Sequence, residues 1–414
     1  MPVHFSWTSF SFRLNATVSG ALRVRLAALL LTVAMLAFAG AGPAEAQKRE
    51  EFQTSIPHVV LMEAETGSVL FERSADELVY PASLAKLMTA EVVFNELEQG
   101  HITLDDVAIV SENAWRTGGA PSHTSSMFAE IHSRVRVEDL LRGVIIQSGN
   151  DAAIALGEAL GGNEAGFGVI MTKRAREIGL TKSVFTNPTG LHSPGMQVTA
   201  RDLAKLARHI IRTYPEFYKI YGEREFTWNK IRQFNRNPLL AWGADGLKTG
   251  YTKEAGYNLV ASSEQNGLRL IVVVMGAKSE KERADDGRKL LEWGFRSFES
   301  RLLFAEGQTI GEAKVYGGEK GSVPLTAPGP VQLMVPRNAN ERIIARVTYT
   351  GPLSAPVETG QPVGMLKVLR GDTLALEVPL HAGGDVAKGS LYQRAIDAVS
   401  ESMIALFRAG AQRL

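Results

Sequence analysis

Apolar residues recur at helical spacing in several separate stretches of the chain. The stretch from Leu84 to Leu97 has apolar side chains at positions 84, 87, 88, 92, 93, 94 and 97, which is the period of an amphipathic helix. Two further helices begin with capping patterns, Thr199-x-x-Asp202 and Ser279-x-x-Glu282. The predicted helices cover residues 84–97, 137–146, 151–160, 199–211 and 279–295.

Short apolar runs that predict β-strands alternate with these helices. The runs on either side of Glu65-Thr66-Gly67 predict a β-hairpin over residues 58–72. Asn266-Gly267 joins the runs 258–263 and 268–276, and Asn-Gly between two such runs is a strong signal for a tight hairpin turn. Mixed helices and hairpins of this kind predict an α/β (α+β) domain.

The composition changes after about Phe298. The segments beyond this point are short and β-rich, and Gly, Pro, Asn and Asp separate them, which is typical of a small all-β sandwich. These segments are residues 312–316, 322–325, 331–335, 343–349, 363–369 and 373–380. Residues 107–133, by contrast, predict little more than loops and short strands.

The two ends of the chain differ from both domains. Residues 1–46 contain a polar lead with three arginines, an apolar run and an Ala-x-Ala sequence, which predict a cleaved secretory signal peptide. An uncleaved membrane anchor is the alternative, but the apolar run has about 16 residues, short of the ~20 that span a bilayer. Residues 390–414 predict an amphipathic helix. That helix could lie on a membrane surface, pack on the β domain or pair with a second copy of itself.

Composition excludes several classes of function. The 414 residues include no cysteine, so disulfides, thiolate metal sites and a cysteine nucleophile are excluded. The eight histidines include no pair at the i, i+3 or i+4 spacing of a helical metal site. A formal net charge of +1 does not favour nucleic-acid binding. We therefore expect an enzyme or binding protein that needs no metal and no other cofactor.

Ser83 and Lys86 lie one helical turn apart at the start of the predicted helix 84–97. That spacing puts the hydroxyl and the amine on one face. A serine needs a nearby base to become a nucleophile, and a lysine amine can be that base where burial or a neighbouring cation lowers its pKa. Taken alone, the pair also fits a capping serine and a solvated lysine.

Two more polar motifs follow at structured positions. Ser148-Gly149-Asn150 forms a polar turn between two apolar helices, where Asn150 or Asp151 could simply cap the second helix. Lys248-Thr249-Gly250 is predicted to lie on the strand before the Asn266-Gly267 hairpin. Its residue order does not match a phosphate-binding loop of the Walker type.

The three motifs together, in this order, resemble those of the penicillin-recognising serine acyl transferases. Their flanking residues are similar to those of the low-molecular-weight D-alanyl-D-alanine carboxypeptidases. The resemblance implies a β-lactamase-like serine-peptidase domain over residues 47–298, a β-sandwich domain over residues 299–389 and a membrane-associating helix over residues 390–414. His132-Ser133-Arg134 departs from the family, because many members have a glycine turn there.

The resemblance also implies a role for each motif residue. Ser83 would be the acyl-enzyme nucleophile, Lys86 its base and Ser148 a proton relay to the leaving group. Asn150 would hold Lys86 and the substrate amide, and Lys248 would bind the terminal carboxylate with help from Thr249 and would depress the pKa of Lys86. The strand residues Gly250 and Tyr251 complete the site, with the N–H groups of Ser83 and Tyr251 as the oxyanion hole.

The expected function is removal of the terminal D-Ala from peptidoglycan stem peptides, with β-lactams as covalent inhibitors. The expected location is periplasmic, at the outer face of the cytoplasmic membrane. A β-lactamase is one alternative, but loop 181–197 has no glutamate to activate water, and Glu177 is the nearest carboxylate. A non-catalytic penicillin-binding protein that scaffolds the cell wall is the other.

Overall fold

The computed structural model describes residues 52–337, 342–370 and 373–395. The predicted signal peptide and most of the predicted C-terminal helix lie outside the described residues. Among the residues that are described, no helix combines the length and the apolar character needed to cross a membrane.

The strands are β1 (His58–Glu63), β2 (Val69–Arg73), β3 (Val107–Ile109), β4 (Arg134–Arg136), β5 (Glu225–Trp228), β6 (Ile231–Phe234), β7 (Ala244–Thr252), β8 (Gly256–Gln265), β9 (Leu268–Ala277), β10 (Phe298–Phe304), β11 (Gly311–Tyr316), β12 (Ser322–Thr326), β13 (Val331–Pro336), β14 (Ile343–Tyr349), β15 (Leu353–Ser354), β16 (Pro362–Arg370) and β17 (Thr373–Ala382). The α-helices are α1 (Lys86–Glu98), α2 (Val137–Arg142), α3 (Asn150–Gly161), α4 (Glu164–Glu177), α5 (Ala200–Thr213), α6 (Pro215–Tyr218) and α7 (Glu280–Ser297). Short 3-10 or π-helical turns cover Ala82–Ala85, Ala114–Gly118, Ala120–Ser122, Gly143–Gln147, Lys219–Gly222 and Pro238–Trp242.

A five-stranded antiparallel sheet, in the order β2-β1-β9-β8-β7, forms the centre of the N-terminal domain. Alternate residues of its strands enter two different cores. Val60 of β1 belongs to the core that includes α1 and α5, whereas Leu61 belongs to the core that includes Leu290 of α7. Because both faces of the sheet are covered, strands β1 and β9 carry long apolar runs.

The predicted hairpins and helix starts are confirmed. Asn266 and Gly267 have φ values of 52° and 76°, the left-handed pair that a two-residue hairpin turn requires. The side chains of Thr199 and Ser279 cap α5 and α7 by accepting hydrogen bonds from the N–H groups of Asp202 and Glu282. The apolar pattern and the capping residues therefore located these elements correctly.

Two helical regions differ from the prediction. Helix α4 was not predicted, because glycines near its start weaken its helix propensity. Gly168 is needed there, since a Cβ atom would lie 2.6 Å from the backbone of Thr186. The predicted helix 137–146 is α-helical only to Arg142 and continues as a π turn, where Gly143 lies against Met127.

The turn before β4 contains the departure from the family pattern. His132 occupies the left-handed region with a φ of 60°, and its N–H donates to the carbonyl of Val110 at 2.7 Å. Strands β3 and β4 pair on either side of it. A residue other than glycine therefore makes the turn that glycine would make with less strain.

The C-terminal region is all-β, as predicted. A six-stranded sheet in the order β14-β16-β17-β12-β11-β15 and the β10-β13 pair share one apolar core, which includes Leu333 of β13 and Leu366 of β16. Strand β10 was not predicted; it follows α7 directly and pairs antiparallel with β13. The residue boundaries between domains stay a prediction.

Candidate active site

Ser83 lies in the 3-10 turn Ala82–Ala85, directly before helix α1. Strand β7 runs against this turn, since a Cβ atom on Gly250 would be 3.0 Å from the backbone nitrogen of Ser83. Gly190 approaches from the other side, where a Cβ atom would be 1.9 Å from the carbonyl oxygen of Ala82. Two glycines thus allow the backbone to close around a partly exposed Ser83.

The Lys86 amine is the most contacted polar group of the site. The side chain is 1% exposed, and Nζ lies 3.2 Å from Ser83 Oγ. Nζ also donates to Asn150 Oδ1 at 2.6 Å and to the carbonyl oxygen of Thr189 at 2.7 Å. A neutral amine has two N–H bonds and one lone pair, so these two acceptors leave the lone pair for Ser83.

The pKa of Lys86 is lowered to about 7: burial is the largest cause, the guanidinium of Arg236 adds to it, and the carboxylate of Asp151 opposes the shift. The expectation that Lys248 depresses the pKa of Lys86 stays a prediction. The two lysines do interact, because burial and the Lys86 charge hold the pKa of Lys248 well below its ordinary value. The sequence did not indicate Arg236, because it follows strand β6 and lies outside the three motifs.

Ser148 and Asn150, at the start of helix α3, line another side of the site. Ser148 has a φ of 66° and is buried, and within the described residues its Oγ has no hydrogen-bond partner. The capping interpretation of Asn150 was wrong: it is the first residue of α3, and its amide connects Lys86 to Thr124 Oγ1, the latter at 2.8 Å. The N-cap position belongs to Gly149, which offers no side chain.

Lys248, Thr249, Gly250 and Tyr251 are consecutive on β7 and pair with β8. Lys248 is 2% exposed, and its Nζ makes a long contact of 3.5 Å with the Thr249 carbonyl oxygen. Tyr251 is 53% exposed and stacks on Tyr257, with ring centroids 4.2 Å apart.

Arg283 of helix α7 is a further cation that sequence reasoning missed. It is buried, its Nε has no hydrogen-bond partner within the described residues, and its guanidinium lies 5.8 Å from the Tyr257 ring centroid. Its charge contributes to the lowered pKa of Lys248. The sequence offered one signal for Arg283. It shares a helix face with Gly287, Leu290 and Leu291, where an apolar residue is expected.

The site is therefore electropositive around a serine hydroxyl. Arg236 acts on the charge of Lys86, and Lys86, Arg236 and Arg283 act on the charge of Lys248. Such a group of cations attracts an anionic substrate. Across the described part of the chain, no cluster of three or more His, Asp or Glu side chains could hold a metal ion. A serine nucleophile, a lysine base and a cationic pocket are the parts needed for acyl transfer from a carboxylate-terminated peptide.

An α+β domain with this site, followed by a β domain, defines the class of penicillin-binding serine peptidases. A family model described as D-alanyl-D-alanine carboxypeptidase matches residues 44–279, and one described as penicillin-binding protein 5, C-terminal domain, matches residues 298–388. The chain belongs to the D-alanyl-D-alanine carboxypeptidase family. It is a serine-type carboxypeptidase.

Known proteins match over most of the chain. D-alanyl-D-alanine carboxypeptidase DacA of Haemophilus influenzae is 41% identical over 345 residues, which cover 82% of this chain and 87% of that protein. The crystal structure of penicillin binding protein 5 from Haemophilus influenzae has 40% identity and a TM-score of 0.75, and covers 82% of this chain and 99% of its own. Penicillin-binding protein D2 from Listeria monocytogenes, solved in its ampicillin-bound form, has 32% identity and a TM-score of 0.54 over 59% of this chain and 99% of its own.

The pKa of Lys86 predicts the pH dependence of acylation. Only the neutral amine can accept the Ser83 proton, so the rate of covalent labelling by a fluorescent penicillin should rise with pH along a limb centred near 7. Stopped-flow or gel-based labelling at a series of pH values measures this limb. A rate that stays constant from about pH 5.5 to about pH 8.5 would contradict a base with a lowered pKa.

Proposed function

We propose that this protein removes the C-terminal D-alanine from peptidoglycan stem peptides through an acyl-enzyme on Ser83, and that β-lactams acylate the same hydroxyl. The observation that supports this most directly is the 3.2 Å separation between Lys86 Nζ and Ser83 Oγ, with a Lys86 pKa of about 7. A buried neutral amine beside a hydroxyl is a general base ready to act at physiological pH.

The proposed acylation step uses the two walls of the site. Ser83 Oγ attacks the carbonyl carbon of the terminal peptide bond, and Lys86 takes its proton. The N–H groups of Ser83 and Tyr251 stabilise the oxyanion. Ser148 gives its proton to the leaving amine as the C–N bond breaks and takes up the proton that Lys86 received from Ser83, so that Lys86 is neutral again; its Oγ has no other partner in the described structure.

Deacylation returns the enzyme to its starting state. Water attacks the ester carbonyl and gives a proton to Lys86, and Lys86 returns this proton to Ser83 Oγ as the ester bond breaks. A β-lactamase would place a carboxylate near this water, but loop 181–197 supplies the Thr189 carbonyl and no carboxylate. Glu177 is engaged elsewhere, with Arg174 at 3.2 Å and Lys173 at 3.9 Å. These contacts favour the carboxypeptidase over the β-lactamase.

The terminal carboxylate of the substrate would bind to Lys248, the Thr249 hydroxyl and Arg283. Burial and the Lys86 charge hold the pKa of Lys248 low in the free enzyme. A carboxylate beside Lys248 opposes this shift and favours the ammonium form that binds it. This pairing would select substrates that end in a free carboxylate.

Replacing Ser83 or Lys86 tests the proposal. In Ser83→Ala we expect no covalent β-lactam labelling and no release of D-alanine, and in Lys86→Ala a folded protein whose acylation rate falls by orders of magnitude. Released D-alanine is measured with a diacetyl-Lys-D-Ala-D-Ala peptide. A wild-type protein that labels with penicillin but releases no D-alanine would instead support the non-catalytic scaffold.

Replacing the cations of the carboxylate pocket tests substrate selection. A charge-assisted hydrogen bond to a carboxylate contributes roughly 1.5 to 3 kcal/mol, so Lys248→Ala or Arg283→Ala should reduce the preference for an acid over its C-terminal amide by about tenfold to more than a hundredfold in kcat/KM. Arg288→Ala is the matched control, because Arg288 lies on the same helix but contacts Trp242 and Glu292. An unchanged preference in both pocket variants would assign these cations another role.

We further propose that the protein is exported and lies in the periplasm, attached to the outer face of the cytoplasmic membrane through residues 390–414. The described start of this segment, residues 391–395, is helical, with Leu391 83% and Tyr392 76% exposed. Large apolar side chains that are this exposed at the beginning of an amphipathic helix favour a membrane surface as their partner.

Truncation tests the membrane proposal. A mature chain ended at Gly389 should lose flotation with lipid vesicles, because the apolar face of the helix is removed, and should cleave a small peptide at the wild-type rate. Vesicle flotation and D-alanine release measure the two effects. Membrane binding that survives the truncation would place the anchor elsewhere, and loss of peptidase activity would show that the helix supports the fold.

A further inference from the structure

Asp151, next to the Ser-Gly-Asn turn, is a fully buried carboxylate that the proposed mechanism does not use. Its side chain is 0% exposed. Oδ1 accepts from the N–H groups of Met127 and Ala152 at 2.9 and 3.0 Å, and Oδ2 accepts from Ser126 Oγ and the Ala129 N–H at 2.7 and 3.1 Å. Four neutral donors thus satisfy both oxygens of the buried Asp151 carboxylate.

These donors fix the loop of residues 124–129 in a strained conformation. Phe128 has a φ of 65°, which is unfavourable for an aromatic residue, and its N–H donates to Ser126 Oγ at 2.8 Å. The residues on either side of Phe128 both bind Asp151, so Asp151 holds the backbone in this conformation. Gly149 leaves the necessary room, since a Cβ atom there would lie 2.9 Å from Asp151 Oδ1.

The same loop supports the side chain that binds Lys86. Thr124 Oγ1 accepts from Asn150 Nδ2 at 2.8 Å, and the Ser125 carbonyl accepts from the Asn150 N–H at 2.7 Å. Asn150 is thereby held from two sides, with its Oδ1 directed at Lys86 Nζ. The position of the Lys86 amine therefore depends on the loop that Asp151 anchors.

We propose that Asp151 is a positioning residue of this reaction: it holds residues 124–129 against Asn150, and its buried negative charge offsets the cations around Lys86. The inference deepens the proposed function and rests on Lys86 as the base. The groups that face the amine are Ser83, Asn150 and the Thr189 carbonyl, together with the charges of Arg236, Lys248 and Asp151. Arg236 and Asp151 act on it in opposite directions.

Two substitutions that remove charges of opposite sign test the electrostatic effect of Asp151 on Lys86. Asp151→Asn removes a negative charge, which makes the Lys86 amine easier to deprotonate, so the acidic limb of the labelling rate should move to lower pH. We expect the ratio of the rate at about pH 6 to that at about pH 8.5 to rise roughly threefold to tenfold. Arg236→Gln removes a positive charge, and the same ratio should fall.

A substitution that changes no charge tests whether Asp151 holds residues 124–129 in place. Ser126→Ala removes one donor to Asp151 and the acceptor of the Phe128 N–H, so the maximal labelling rate should fall roughly threefold to tenfold while the limb stays in place. This variant also tests the inference if Asp151→Asn does not fold. A wild-type maximal rate in Ser126→Ala would overturn the positioning role.

Asp202→Asn is the matched control. Asp202 is likewise a buried aspartate near a helix start, and its Oδ2 accepts from the N–H groups of Lys182 and Ser183 and from Ser183 Oγ. The Asp202→Asn variant should lose thermal stability, as the Asp151→Asn variant does, without moving the acidic limb of the labelling rate. A shift in Asp202→Asn equal to that in Asp151→Asn would overturn the inference, because destabilisation alone would then explain it.

The outcomes separate this inference from the proposed function. If Arg236→Gln moves the limb and Asp151→Asn does not, only the role of Asp151 is wrong. If neither variant moves the limb, Lys86 is not the group whose protonation limits acylation, and the assignment of Lys86 as base fails. Opposite shifts of the limb in Asp151→Asn and Arg236→Gln, with no shift in Asp202→Asn, would support both the role of Asp151 and the assignment of Lys86 as base.

Discussion

The burial of one amine is the constraint on which the catalytic domain depends. Lys86 Nζ needs partners once it leaves water, because an unpaired buried amine costs several kcal/mol. Its partners come from the start of α3 and from the loop around Thr189, and the Ser83 turn lies directly beside it. The chain must therefore bring three distant segments within hydrogen-bond distance of one atom. Gly190 and Gly250 make this possible, because a Cβ atom at position 190 would collide with the turn and one at position 250 would crowd it.

The same constraint explains the charge of the site. Burial, together with neighbouring cations, lowers the pKa of both lysines: Arg236 acts on Lys86, and Lys86, Arg236 and Arg283 act on Lys248. In the proposed mechanism a substrate carboxylate would relieve the repulsion at Lys248 and Arg283, while Lys86 keeps its lone pair for Ser83. Binding and base activation are thus two results of one arrangement of cations, in which Asp151 is the opposing charge.

The rest of the fold holds this arrangement through apolar packing and hydrogen bonds, without disulfides. The chain has no cysteine, so no disulfide contributes to its stability. The central sheet is covered on both faces by separate apolar cores, and the β domain has a third core of its own. Strand β7, which bears Lys248, lies at one edge of the sheet and is held there by pairing along β8. A site built on a strand with two well-packed neighbouring layers is a rigid one.

Local sequence by itself determined the elements and the motif residues. The spacing of Ser83 and Lys86, the Asn266-Gly267 turn, the caps at Thr199 and Ser279 and the β-rich segments after residue 311 are all local patterns, and local patterns specify helices, hairpins and turns. Local signals failed at α4, where glycines serve close packing, and at β10, whose partner β13 is distant in sequence. Tertiary structure alone decided what surrounds Lys86. Arg236, Asp151 and the Thr189 carbonyl lie outside the three motifs, and so does Arg283, which acts on Lys248. Their effects on the two amines depend on burial and distance, which the whole fold sets.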